Sequence, residues 1–219
     1  MKNSQRSIIK ETENFVKKEL FETEGGHDWW HIWRVRKLSV KIAETEQADL
    51  YVVELGALLH DIADSKFHDG DETLGPQKAR SFLEFLGVDE SVIDHVVKIV
   101  ANISFSAGKE KHAFRSKELD VIQDADRLDA LGAIGIARTF NYGGFKNREM
   151  FNPEIKPKLN MTKEEYKRNN APTINHFYEK LLLLKDKMNT ETGKQMAIQR
   201  HEFLEKYLDQ FYQEWEGNL

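Results

Sequence analysis

The chain has 219 residues, of which 40% are hydrophobic and 32% charged, and its net charge is −5. These values are typical of a globular protein with one substantial core or two small ones, and the acidic balance disfavours binding to polymeric nucleic acid. Cysteine is absent, which excludes disulfides and thiolate metal sites and fits a reducing cytoplasm. No apolar run approaches the ~20 residues of a membrane span, and the polar start does not resemble a signal peptide. We therefore expect a cytoplasmic protein without a membrane partner.

Helical periodicity dominates the sequence, and alternating strand patterns are scarce. The pattern predicts helices over residues 4–22, 28–46, 49–64, 75–86, 90–103, 117–140, 163–168, 172–188 and 194–215. Asp49 is placed to cap the third of these helices, and Gly87 to end the fourth. The sequence therefore predicts an all-α fold.

An irregular segment is expected over residues 141–162, which contain two prolines and a Gly-Gly pair. A segment of this length is either functional or a connector to the C-terminal helices. We interpret residues 1–219 as a single domain, with the helices of residues 163–219 packed on the same domain.

Polar side chains interrupt apolar helix faces at two places in the first third of the chain. In "GGHDWWHIWRV", His31 lies at the edge of an apolar stripe, and His27 is four residues earlier on the same helical face. In "LLHDIADSKF", His60 and Asp61 directly follow an apolar run. Each histidine taken alone is typical of a buried imidazole bonded to a neighbour. Imidazole and carboxylate together also suit a divalent metal.

A third place is the segment "ELDVIQDADRLDALGAIGIARTF". Asp126 follows Leu119 and Ile122 on the apolar stripe, and Asp129 continues that stripe. A carboxylate on a packed face needs a cation, and spacing alone does not choose between the two aspartates. The small residues that follow would let another helix approach closely: Ala130, Gly132, Ala133 and Gly135. The three places together indicate a metal site with open coordination positions.

The order H…HD…D, here His31, His60–Asp61 and Asp126, resembles the HD-domain metal-dependent phosphohydrolases. The segments "HDWWHIWRV", "LLHDIADSKF", "NISFS" and "QDADRLDALGAIGIAR" resemble a compact bacterial subfamily of that family, and the similarity extends over nearly the whole chain. The resemblance implies an HD-domain helical bundle whose four ligands meet in a cleft between helices. It also implies that Asp126 is the fourth ligand and Asp129 a neighbour.

The resemblance further implies one divalent metal ion, with Mn favoured and Mg, Fe, Co, Ni and Zn as alternatives. HD members that bind two metals carry additional histidines between the HD pair and the last aspartate. Here that helix reads "VVKIVANISFS", with Asn102 in the expected place and His95 earlier. This disfavours a two-iron oxygenase.

Several residues are candidates for roles in the reaction, Asp64 by the same resemblance and the others by their position or charge. Asp64, one turn beyond His60, and Asp69 are the two candidates for positioning the attacking water. Lys66 is placed to meet phosphate and to assist the reaction. Further candidates for substrate binding lie elsewhere in the sequence: His27, Asn102, Lys111, Arg115 and Arg138. The basic stretch 108–117 is alternatively a solvated loop.

This supply of cations favours a polyphosphate substrate. We predict a nucleoside triphosphate pyrophosphohydrolase that releases monophosphate and pyrophosphate. The alternatives are a 5′-nucleotidase or phosphodiesterase of the same family, and a non-catalytic nucleotide-binding regulatory module. The expected partner is a small-molecule nucleotide, and the sequence is compatible with a homodimer.

Overall fold

The computed structural model describes residues 2–21, 28–63, 71, 73–103 and 114–219. All regular elements in these ranges are helices, which confirms the predicted all-α class. Among the described residues, no helix is both long enough and apolar enough to cross a bilayer. Five of the residues assigned to the reaction lie outside the described ranges: His27, Asp64, Lys66, Asp69 and Lys111.

The contacts divide the chain into two compact units, residues 1–125 and 126–219. The helices that begin in the first unit are α1 (Asn3–Glu19), α2 (Trp29–Glu46), α3 (Leu50–Leu59), α4 (Leu74–Phe85), α5 (Glu90–Asn102) and α6 (Lys117–Asp129). Helix α3 is the centre of this unit, because it packs against α1, α2 and α5 and is buried from Tyr51 to Leu59. Such an all-round apolar helix is stable only when other helices cover it.

The second unit contains α7 (Gly132–Phe145), α8 (Lys163–Arg168), α9 (Asn175–Glu179), two 3-10 turns (Leu181–Leu183 and Lys185–Lys187) and α10 (Glu191–Trp215). Helix α10 packs against α7 and against the second 3-10 turn. Phe177 is fully buried, and its ring stacks on that of Tyr207 with the centroids 5.9 Å apart. Aromatic packing therefore supplies much of the core of this unit.

Aspartate caps fix where α2 and α3 begin. The Asp28 carboxylate accepts a hydrogen bond from the backbone N–H of His31 at 2.9 Å. The Asp49 carboxylate accepts from the N–H groups of Tyr51 and Val52, which confirms the predicted cap. Helix α3 ends at Leu59, so the predicted helix over 49–64 is too long, and His60 begins the turn that follows.

A glycine lets α6 approach α3 closely. A Cβ atom on Gly56 would lie 2.7 Å from Cδ1 of Ile122 and 3.4 Å from Cγ2 of Ile99. Because a carbon–carbon contact of 2.7 Å is not tolerated, a side chain here would push Ile122 away. Asp126 follows Ile122 by one helical turn of α6.

The single helix predicted over residues 117–140 is wrong, because the chain turns between α6 and α7. Gly132 has φ +68°, a left-handed conformation that favours glycine, and a Cβ on Gly135 would lie 2.2 Å from the carbonyl oxygen of Ala130. The small residues therefore allow a tight turn between α6 and α7. Helix α7 then continues to Phe145, so the first five residues of the segment 141–162 are helical.

The helix predicted over residues 172–188 is also wrong. The chain forms α9 and then the two 3-10 turns, because Lys180 leaves the helical region with φ −142° and ψ −55°. The continuous apolar letters "LLLL" after this break do not show a helical period of their own.

Candidate metal centre

His60 presents one ring nitrogen for a ligand and uses the other to hold its place. Its Nδ1 lies 2.9 Å from the carbonyl oxygen of Ala57, one turn earlier in α3. Because a carbonyl only accepts, Nδ1 carries the hydrogen and Nε2 keeps its lone pair in the neutral ring. The side chain is 1% exposed, and Nε2 makes no hydrogen bond to any residue that the structure describes.

His31 reaches the same place from α2. It lies in the first turn of that helix, where the Asp28 cap fixes its backbone, and its side chain is 1% exposed. The centroids of the His31 and His60 rings are 5.4 Å apart, with the ring planes at 65°. The two imidazoles therefore meet edge to face, with the packing of α2 on α3 holding them together.

Two carboxylates complete the group. Oδ2 of Asp61 lies 3.6 Å from Nε2 of His31 and 3.7 Å from Nε2 of His60. His31, His60 and Asp126 each offer one ligand atom, and these three atoms lie within 4.8 Å of one another. The structure thus brings together the four residues that the sequence predicted as ligands.

This arrangement fits a divalent cation. His60 Nε2 and Oδ2 of Asp61 lie 3.7 Å apart in a largely buried place, so a cation between them would be held by both acceptors. Two nitrogen and two oxygen donors without sulfur suit a borderline or hard metal ion. Such an ion, when bound, would polarise a phosphoryl oxygen and lower the pKa of a coordinated water.

Asp129 has a different environment from that of Asp126. It is 1% exposed, and its Oδ2 accepts a hydrogen bond from Nη1 of Arg138 at 2.7 Å. A guanidinium therefore compensates this buried charge. Arg138, which the sequence assigned to substrate binding, is placed by the structure beside Asp129.

The other described residues with assigned roles also have neighbours of their own. Nη2 of Arg115 lies 2.9 Å from a carboxylate oxygen of Asp120, and the Arg115 side chain is 61% exposed. Nδ2 of Asn102 donates to the carbonyl oxygen of Lys98 at 2.8 Å. Neither contact places the residue among the four ligand side chains.

His95 precedes Asn102 in α5, the helix in which two-metal members of the family carry additional histidines. It lies where α5 contacts the start of α6. Its Nε2 is 2.9 Å from the Ser116 hydroxyl and 3.4 Å from a carboxylate oxygen of Glu118. These partners account for His95 as a structural residue of the helix pair.

An ion pair that the sequence did not predict joins α2, which carries His31, to α3, which ends one residue before His60. Nε of Arg36 donates to Oε2 of Glu54 at 2.7 Å, and Glu54 is 6% exposed. The available signal was a single glutamate inside the apolar run "YVVELGALL". A buried carboxylate there requires a partner.

Comparison with known proteins agrees with this site. The family model of the HD domain matches residues 29–131. The protein YpgQ of Bacillus subtilis is 37% identical over 204 residues, which cover 93% of this chain and 91% of YpgQ.

Two solved structures resemble the whole chain. An HD-superfamily hydrolase from Bacillus thuringiensis is 44% identical with a TM-score of 0.77, and the match covers 97% of this chain and 98% of that one. The structure of Bacillus subtilis YpgQ in complex with ADP is 34% identical, has a TM-score of 0.78 and covers 96% of both chains. Together with the buried His–Asp group, these findings confirm the resemblance found in the sequence. The chain belongs to the HD-domain family of metal-dependent phosphohydrolases.

Proposed function

We propose that this phosphohydrolase acts on nucleoside triphosphates and cleaves between the α and β phosphates, giving a nucleoside monophosphate and pyrophosphate. The observation that carries hydrolysis is the meeting of two imidazoles and two carboxylates at one buried place. The nucleotide class is supported by YpgQ, which was solved in complex with ADP and matches nearly the whole chain.

In this proposal, His31, His60, Asp61 and Asp126 hold one divalent ion, with Mn favoured. Two neutral imidazoles and two carboxylates carry a charge of about −2, which balances a divalent ion. The bound centre is then close to neutral, so a phosphate oxygen meets no excess of negative charge at the remaining coordination positions. The ligands leave those positions open, as a catalytic site requires.

The residues that would act on the substrate are proposed from the resemblance. Asp64 or Asp69 positions the attacking water, and Lys66 binds phosphate. The charges of Arg115 and Arg138 are balanced by Asp120 and Asp129, so these arginines supply less positive charge to a polyphosphate. Phosphate binding then depends more on Lys66, Lys111 and the metal. His27 and Asn102 remain candidates for contacts to the rest of the nucleotide.

Product analysis tests the proposal. The purified chain is incubated with a panel of nucleoside mono-, di- and triphosphates and with Mn²⁺, Mg²⁺, Co²⁺ or Ni²⁺, and the products are separated by anion-exchange chromatography. We expect monophosphate and pyrophosphate in equal amounts from a triphosphate, and no product from His60→Ala.

Orthophosphate released from a monophosphate, with triphosphates left intact, would replace the proposal with a 5′-nucleotidase. Nucleotide binding without any metal-stimulated hydrolysis would indicate a regulatory module instead.

A further inference from the structure

A largely buried ion pair joins α2, which carries His31, to α3, which ends one residue before His60. Arg36 lies on α2 and Glu54 on α3, and two guanidinium nitrogens contact the same carboxylate oxygen: Nε at 2.7 Å and Nη2 at 2.5 Å. The side chains are 24% and 8% exposed. Hydrogen bonds between charged groups are short, strong and directional when water is largely excluded.

A second carboxylate reaches the same guanidinium from α1, but from farther away. Oε2 of Glu13 lies 3.5 Å from Nη1 of Arg36, whereas Oε1 of Glu13 lies 2.6 Å from Nζ of Lys17. Glu13 is therefore engaged mainly with its own helix, and Glu54 is the principal partner of Arg36.

The ion pair lies at a similar distance from each of the two histidines, measured along the helix axes. Arg36 is five residues after His31, and Glu54 is six residues before His60. At the rise of an α-helix these separations correspond to about 7.5 and 9 Å along the two helix axes. A contact that fixes Arg36 against Glu54 thus also fixes how far His31 lies along α2 relative to His60, which directly follows the last residue of α3.

We propose that Arg36 and Glu54 are positioning residues for the metal centre. The hydrophobic effect that packs α2 on α3 is non-directional, whereas the hydrogen bonds of the ion pair favour one register of the two helices. Burying such a pair brings little net stability compared with apolar side chains, so stability alone does not account for it. The inference rests on the proposed metal centre and is independent of the nucleotide and of the bond cleaved.

The test measures Mn²⁺ affinity of the full chain by isothermal titration calorimetry. Glu54→Gln keeps the shape of the side chain and removes its charge, and we expect the dissociation constant to rise about 10- to 100-fold, as for other residues that support metal ligands. The matched control is Glu13→Gln, which removes the other carboxylate beside Arg36. We expect that control to change the dissociation constant less than twofold.

A double variant separates positioning from general stability. In the double variant Arg36→Met/Glu54→Met, apolar side chains of similar length replace the ion pair. We therefore expect its melting temperature to be close to that of the wild type. We expect the Mn²⁺ affinity to stay weak in this variant. Recovery of affinity together with stability would overturn the inference, as would Glu54→Gln binding Mn²⁺ within twofold of wild type.

If circular dichroism shows that Glu54→Gln is unfolded, Arg36→Lys decides. Lysine keeps the charge and loses the paired nitrogens, so we expect a severalfold rise in the dissociation constant, and an unchanged value would overturn the inference. A wild-type chain that bound no Mn²⁺ would overturn the metal centre and this inference together. Equal binding by wild type and variants would overturn the positioning role alone.

Discussion

At the scale of single residues, Asp126 and Asp129 show that similar sequence positions take different roles. Both aspartates follow the same apolar stripe of α6. Asp129 is compensated by Arg138, whereas Asp126 offers its carboxylate to the group formed with His31 and His60. The two carboxylates therefore have different neighbours.

Exchanging each carboxylate for an amide should separate these roles. Asp126→Asn removes a charged ligand, and we expect Mn²⁺ binding to weaken by more than about 100-fold, because even supporting residues cost 10- to 100-fold. Asp129→Asn leaves Arg138 without its carboxylate, and we expect the free energy of unfolding to fall by on the order of 2 kcal/mol. Calorimetric titration and urea denaturation measure the two effects. The reverse pattern would move the ligand by one turn, to Asp129.

A second residue-scale prediction concerns acid stability. The Tyr166 hydroxyl lies 2.7 Å from Nδ1 of His176, and burial lowers the pKa of His176 from 6.5 to about 3, with Lys180 and Arg148 acting in the same direction. The unfolded chain binds a proton here below pH 6.5, while the folded chain stays neutral until about pH 3. Protonation of this histidine therefore leaves the free energy of unfolding unchanged above pH 6.5 and lowers it progressively as the pH falls from 6.5 toward 3.

Glutamine does not titrate, so we expect the free energy of unfolding of His176→Gln to fall less steeply as the pH is lowered. Urea denaturation between pH 7 and pH 4 should show a decline smaller by a few kcal/mol at most than in the wild type. An equally steep decline in the variant would assign the acid sensitivity to other groups.

Part of the site was predictable from sequence because its residues break a pattern. His60, Asp61 and Asp126 are polar in apolar surroundings, and a metal is one of the few partners that compensates several such groups at once. The choice between Asp126 and Asp129 was not predictable from spacing, because it depends on Arg138 in the next helix. The pair Arg36–Glu54 was also missed, since α2 and α3 must be placed in space before the two side chains meet.

At the scale of elements, the turn between α6 and α7 depends on backbone conformation more than on side-chain chemistry. Gly132 has φ +68°, and a Cβ there would lie 3.2 Å from Cγ and 3.3 Å from Cβ of Arg200. Arg200 in turn donates to the carbonyl of Leu128 in the last turn of α6. The glycine thus combines a left-handed backbone with a close approach of α10.

The comparison of two glycine variants separates these two effects. Gly87 also has a left-handed backbone, with φ +66°, but its added Cβ would have no atom within 4 Å among the described residues other than its chain neighbours. We expect Gly87→Ala to lower the free energy of unfolding by about 1–2 kcal/mol, the cost of the left-handed conformation alone. Gly132→Ala should cost about 1 kcal/mol more, because Arg200 must also move. Equal losses in urea denaturation would mean that Arg200 adjusts freely.

The same glycines explain which helix boundaries were predictable. Gly87 directly follows the segment "SFLEFL", where the apolar pattern of α4 ends, so its role as a stop was evident, and its φ confirms that role. Gly132 lies between residues that continue an apolar stripe, and the periodicity runs through it without a visible break. Hydrophobic periodicity indicates which face of a helix is buried, but it carries no information on backbone dihedral angles. A residue with a left-handed backbone is therefore not visible in it.

At the scale of the whole molecule, the helical class and the family were both predictable, because each draws on many residues. The division of the chain was not, since it falls inside α6, between Ala125 and Asp126, where the sequence shows one uninterrupted helix. A boundary of this kind follows from the distribution of contacts, which a linear pattern does not contain.

Metal binding should be visible in the stability of the whole chain. A ligand that binds only the folded state adds about 2.7 kcal/mol at a concentration 100 times its dissociation constant. We expect Mn²⁺ to raise the melting temperature of the wild type and a chelator to reverse the effect. His31→Ala should keep its helical circular dichroism and lose this response together with activity. A variant stabilised as much as the wild type would remove His31 from the ligand set.

The close approach at Gly56 also has an evolutionary consequence. Since a methyl group there would meet Cδ1 of Ile122 at 2.7 Å, alanine at position 56 requires that this carbon move to another rotamer or that position 122 lose it, as in valine. The two positions, 66 residues apart in the sequence, therefore form a compensating pair. Lineages that change one of them should change the other, and the order of the two substitutions matters, because shortening residue 122 first leaves a small cavity whereas enlarging residue 56 first creates a clash.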